Sequence, residues 1–346
     1  MLDSSPSWLE AASNSEDYMN PFIKLTFGLC CLLGLLGCGG NGGGGGTKIP
    51  RRLDVLFDAP DHGQGQGISQ LAGLVEGHPA FLSYTDATRW TLTIPGIDTA
   101  DLPTTNFDNA YLIAFENGIV LGGFDGGAFV YRKVGLNWVA TTFANLQEPV
   151  LDAITKKLIG TVGSDFVVVD IESGIQSPVT LPAGAGLLMA KANWLVFENG
   201  SSFFVHNLGT AAEWDLETVA GDTSQFPYAL NEAGGVVGNS GDGATGRAIY
   251  WTPGTGAPTV IDSFTGGTVE PGWVSPDGTA VVVNVSTDAF RSYLYLNGTK
   301  YPVADLDGGD GVSYLFGFDN DGTFGFGYTD PSADPETAVA VKVTYR

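Results

Sequence analysis

Histidine, cysteine and basic residues are scarce in this 346-residue chain, which holds three histidines, three cysteines and 15 lysines and arginines against 38 acids. The formal net charge is −23. A phosphate backbone is held by clustered Lys and Arg, so nucleic acid is not an expected partner. Strong acidity favours solubility, cations or basic partners, and it says nothing about fold. Beyond residue 50 there is no apolar run of 18 residues, and no membrane-spanning helix is expected there. Catalytic signatures are missing too: there is no G-x-S-x-G elbow, no H-E-x-x-H, no C-x-x-C and no phosphate-binding glycine loop. What is present is glycine, 50 residues of it, with 43% hydrophobic residues, enough to build a core.

All three cysteines, Cys30, Cys31 and Cys38, fall in or beside the apolar stretch at 25–37, "LTFGLCCLLGLLG". That is the length of a signal-peptide core and too short to span a bilayer. Lys24 precedes it as a positive flank should, but Asp3, Glu10, Glu16 and Asp17 lie upstream with no base to offset them. Translation is therefore expected to start at Met19, which makes residues 1–18 a non-translated or atypical extension. Leu35, Leu36, Gly37 and Cys38 then resemble a bacterial lipobox, the cleavage and acylation motif of lipoprotein signal peptides. The resemblance implies a signal peptide over 19–37, with Cys38 as a lipid-bearing mature N-terminus anchored in the membrane. A single acyl chain binds a membrane only marginally, and stable anchoring takes two or more. Gly39 stands where enterobacterial lipoproteins carry an inner-membrane retention Asp, so of the cell membrane and the outer membrane the sequence leans toward the outer one, in an organism that has one. Residues 38–49 read as a glycine-rich tether. The mature chain has 38 − 4 = 34 acids and 15 − 1 = 14 bases, a net of −20.

Downstream the chain repeats. "YALNEAGGVVGNSGDGATGRAIYWTPGTGAPTVID", residues 228–262, reads as four short strands over 228–231, 236–239, 247–251 and 258–262, each closed by Gly, Pro, Asn or Asp. With the residue that ends the first turn as a marker, copies fall at Gly73, Gly118, Lys157, Asn193, Gly235, Gly278 and Gly322, with spacings of 45, 39, 36, 42, 43 and 44. A further apolar strand follows in each, from "AFLSY" to "AVAVKV". Seven four-stranded units of about 42 residues predict an all-β, seven-bladed β-propeller over 50–346. The last copy ends on its third strand, and "LDVLFDAP" at 53–60 is a spare strand of the fourth-strand type. An N-terminal strand completing the last blade closes the ring and removes an exposed edge. A β-sandwich with coincidental spacing is the alternative, and Lys157 and Asn193, where glycine is missing, are the weak points.

The copy at 228–256 resembles the HAF family of bacterial extracellular repeats. Ser275, Pro276, Asp277 and Gly278 resemble the first-turn motif of TolB-type propeller repeats, in which Pro presets φ and Gly takes a positive φ. Both resemblances imply an extracytoplasmic propeller, and neither fixes an activity.

Candidate chemistry is sparse. "SPDGT" lacks the spacing of a sialidase Asp box. His62, beside Asp61, falls in the loop entering blade one. His78, near Glu76, is assigned to the connection between that blade's second and third strands, on the same face. His with carboxylate suits zinc, and exposed loop residues are the plainer reading. His206, on a third strand, reads as a strand residue with a hydrogen bond. The second-to-third-strand connections carry or adjoin an acid in every copy: Glu76, Asp125, Asp165, Glu198, Asp242, Asp288, and Asp330 with Asp334. Such a ring would suit calcium, which takes six to eight oxygens, although Asp in a turn more simply bonds its own backbone. "DLDGGDG" at 305–311 misses the calcium-loop register because Gly309 falls at the third ligand. Longer connections are expected in blades five to seven, which makes Asp242, Asp288, Asp330 and Asp334 the first residues to test for a ligand. No cofactor is required by anything in the sequence, and Ca2+ is the one metal these loops suggest.

The expected function is a lipid-anchored binding or scaffolding module of the bacterial envelope, with a protein, peptide or glycan partner. The alternative is a propeller hydrolase or lyase acting on polysaccharide, which would need two or three titratable groups gathered in one pocket.

Overall fold

The computed structural model describes residues 49–346, apart from 59–69, 77, 87–88, 182–183, 288–289, 310–311, 313, 319–321 and 329–337. Seven four-stranded antiparallel sheets follow one another along the chain as the blades of a β-propeller. Blades one to six occupy 70–103, 111–144, 147–179, 186–215, 224–265 and 268–302. Blade seven is built from both ends of the domain: Pro50–Asp58 pairs with Ala338–Tyr345 as its outer strand. The ring closes as the spare strand predicts. A 3-10 turn, Val303–Asp305, follows blade six. Asp307 then donates its N–H to the Arg51 carbonyl and accepts from the Leu53 N–H, which ties the loop to the closing strand.

First strands are innermost, each packing on the first strand of a neighbouring blade. Fourth strands are largely exposed, as in Asn137–Ala144. The first strands of blades two to seven carry a bulge against their second strands, between Pro227 and Ala229 in blade five for example. The glycine of "VVGN" sits opposite that bulge, and a Cβ on Gly238 would meet the Phe226 carbonyl and the Trp251 ring. Glycine here lets the inner strand approach.

Because strands alternate direction, the two ends of the ring differ. First-to-second and third-to-fourth turns lie at one end, the hairpin face. Second-to-third turns and the links between blades lie at the other, the linker face. Two sequence expectations change on this frame. In blade one, Gln70–Val75 is the first strand and His78–Asp86 the second, so Gly73 lies within the first strand and does not end its turn. Glu76 and His78 therefore lie on the hairpin face, not in a second-to-third connection. The connections of blades five and six are also short: residues 242–244 and 287–289, three each, against two in blades one to four and nine (329–337) in blade seven. The expected lengthening is thus a single residue in blades five and six, and only blade seven has a long connection, as expected. The missing turn glycine at Asn193 has a plain explanation: Asn193 takes φ +69° itself, after Ala192 at +51°.

Candidate binding face and the axial lysine

At the hairpin face, a polar residue at the end of the inner strand reaches toward the next blade in blades three and five. Asp152 is fully buried. Its carboxylate accepts from the Thr155 N–H (3.1 Å) and hydroxyl (2.7 Å) in its own turn, and from Ala192 N–H (3.0 Å) and Asn193 N–H (2.8 Å) in blade four. Asn231 has the equivalent place in blade five. Its Oδ1 accepts from Ala233 N–H (3.1 Å) and Gly235 N–H (2.7 Å), and its Nδ2 donates to the Ser275 carbonyl (3.0 Å) in blade six. One side chain thus caps its own turn and clasps its neighbour, which leaves no buried polar group of the pair unmet.

Lys191, at the same place in blade four, is buried at 7% exposure. Burial pushes its ammonium below the ordinary lysine range, and the charges of Glu116, Glu232 and Asp152 act to raise it. These groups come from the hairpin-face ends of the inner strands of blades two to five, near enough for their charges to act on Lys191. Sequence reading missed this cluster, since its members lie about forty residues apart and only the packing of consecutive blades around the ring brings them together.

The linker end of the inner strands is open by contrast. Tyr111 and Phe226 are each 37% exposed near the starts of their strands, while the strand ends are buried. Phe226 contacts Tyr228 and Phe203 edge-on, at ring-centroid distances of 5.3 and 5.7 Å. Tyr314 OH donates to Glu270 Oε2 at 2.9 Å, bridging blades seven and six. Beside this aromatic rim Asp222, from the link between blades four and five, accepts from Ser240 Oγ (2.6 Å) and pairs with Arg247. Arg247 Nη2 also donates to Asp242 Oδ2 at 3.3 Å.

Of the residues singled out as metal candidates, Asp242 and His78 lie among those described, and they stand at opposite ends of the ring. Asp242 accepts from Ala244 N–H (2.9 Å) and Thr245 N–H (2.8 Å). The Thr245 and Ala244 amides, with help from Arg247, hold its carboxyl below the usual carboxylate range. It caps its turn and steers Arg247. His78 is an exposed residue opening the second strand of blade one. His62, Asp288, Asp330, Asp334 and the cysteine of lipidation, Cys38, lie outside the described residues. Among the described residues no group of three or more His, Cys, Asp or Glu could hold a metal ion. His206 is the strand residue expected, with Nδ1 3.2 Å from Glu213 Oε2.

No protein-family model and no curated protein matches the chain. Solved structures do. An oligogalacturonate lyase in complex with manganese aligns at TM-score 0.54 and 15% identity, covering 86% of this chain and 98% of that one. The oligogalacturonate lyase of Vibrio parahaemolyticus aligns at TM-score 0.52 and 12% identity, over 85% and 98%. TolB from Acinetobacter baumannii aligns at TM-score 0.39 and 13% identity, over 63% and 60%, too distantly to bear on either fold or function. Identities this low establish the propeller fold and nothing finer.

Proposed function

We propose that the protein is a lipid-anchored, extracytoplasmic binding module whose linker face takes a neutral or cationic ligand, a peptide or glycan of the envelope. The observation that carries this reading is how five of the described carboxylates are engaged. Asp222 and Asp242 hold Arg247, Asp262 holds Lys300, and Asp152 and Asp277 cap turns. Such groups fix structure, whereas a catalyst keeps an acid or base within reach of substrate. Tyr111, Phe226 and the half-buried Tyr314, at the linker ends of the inner strands of blades two, five and seven, offer flat, apolar surface, which suits stacking on sugar rings or aliphatic side chains. The surrounding acidity would repel a polyanion.

The second reading is a lyase. It draws on the two oligogalacturonate lyases, which this chain matches along nearly their whole length. The test is to incubate the full chain with oligogalacturonate, with and without Mn2+, and follow the ultraviolet absorbance of an unsaturated product. No product is expected. Product formed at a rate that scales with protein would replace the binding reading with the lyase.

A further inference from the structure

The topology fixes which end of the propeller the N-terminal segment enters. Pro50 pairs with Tyr345, and Ile49 and Arg346 exchange backbone hydrogen bonds (Ile49 N–H to Arg346 O 3.5 Å, Arg346 N–H to Ile49 O 3.0 Å). Tyr345 ends a third strand, so this point replaces the third-to-fourth turn of blade seven and lies on the hairpin face. Eleven residues, 39–49, separate it from Cys38. Glycine-rich chains of that length span roughly 5–6 Å times the square root of their number, about 20 Å.

The same face carries an unusual feature. The third-to-fourth turns of three consecutive blades each present an aliphatic side chain to solvent: Ile97 (57% exposed), Leu136 (93%) and Ile175 (66%). Val134, beside Leu136, is 45% exposed. None of these packs in the core, and a β-turn does not require an aliphatic tip. Charge of both signs is mixed here: Arg51, Arg52, Lys133, Lys156 and Arg346 lie at this end, together with Asp98, Asp170, Glu213, Glu232 and Asp277. Lys133 and Lys156 pair there with Glu76 (3.5 Å) and Glu172 (2.5 Å), and Arg52 with Asp54 (2.5 Å) and Asp307 (3.0 Å). Asp108, Asp125, Asp165, Glu198 and Glu217 gather at the linker end with few bases.

We propose that the hairpin face docks on the lipid surface, with Ile97, Leu136 and Ile175 entering the interfacial region and the acidic linker face turned away from it. This rests on the lipid-anchored reading and extends it: the anchor supplies proximity, and the three tips set orientation. Aliphatic side chains gain by leaving water at such an interface, and a face that mixes bases with its acids meets less repulsion from anionic headgroups than a face with few bases.

The test is hydrogen–deuterium exchange of the full chain bound to phosphatidylethanolamine–phosphatidylglycerol vesicles, with mass spectrometry of the Cys38 peptide from the same digest. A Cys38→Ala chain without vesicles is the reference. Protection at 95–98, 134–137 and 173–176, with the linker turns 125–126 and 163–164 unchanged, is the expected result. Lipid on Cys38 with unprotected tips, or with protected linker turns, overturns the docking face and leaves the anchor standing. No lipid on Cys38 and no protection removes both. Protection of the tips in the reference chain that grows with protein concentration means a second copy covers them, and overturns the lipid as occupant.

Discussion

Leu53 pairs with Val343 across blade seven, two residues 343 − 53 = 290 positions apart in the chain and both buried. This contact is the seam of the ring. Leu53 also joins the cluster of Trp273, Leu315, Phe318 and Val341 that holds blades six and seven together.

Truncating Leu53 to Ala should cost about 2–5 kcal/mol, the range for a buried leucine. At about 2–4 °C per kcal/mol for a domain of this size, calorimetry should find the whole transition lowered by several degrees as one cooperative event. A separate early transition for blade seven would mean that the seam does not lock the ring.

Gly238→Ala puts a methyl group against the Phe226 carbonyl and 2.6 Å from Trp251 Cζ3. Both neighbours are fixed, so overpacking of about 1–3 kcal/mol is expected by chemical denaturation. A neutral outcome would mean that the bulged inner strand can shift away.

Much of this was legible in the sequence, and the failures have physical causes. The seam was readable because a missing fourth strand and a spare one have to meet. Blade five was readable because glycine and asparagine mark its turns. Blade one was misread because "LAGLVEGH" offers two glycines four residues apart, and its first strand carries the apolar run typical of a second. One misplaced strand moved His78 to the wrong end of the molecule. The Lys191 cluster was not readable, because which turn residues face the axis depends on how the blades are tilted, and no local pattern records that.

Lys191→Met should be tested by thermal melting. Removing one partner of a buried charge cluster typically costs about 3–5 kcal/mol. Adding Glu116→Gln should recover part of that loss, because it removes a carboxylate that Lys191 balances. Purely additive losses would show that the two charges do not interact.

Stability should fall at both pH extremes, for different reasons. Asp262 is partly buried, which works to raise its pKa. The hydrogen bonds from Lys300, Tyr295 and the Ser263 amide outweigh this and hold it below the usual carboxylate range. A depressed carboxylate contributes stability above its unfolded pKa and loses it as pH falls through the folded value, so this limb lies below about pH 4. The Tyr295 hydroxyl is pushed up by burial and by the hydrogen bond it donates to Asp262. A raised group contributes fully below its unfolded pKa, near 10, and its stabilisation declines as pH rises beyond that. Denaturation midpoints measured against pH should show both limbs, and Tyr295→Phe should flatten the alkaline one.

The most direct test of a binding function is a calorimetric titration of the full chain with neutral oligosaccharides, lysine-rich peptides and oligogalacturonate, each ligand then weighed by mass spectrometry. The expected result is saturable binding of a neutral or cationic ligand, recovered intact, and weakened up to roughly tenfold in Phe226→Ala by loss of about 0.5–1.5 kcal/mol of stacking. Cleavage of any ligand at a rate proportional to protein would contradict it.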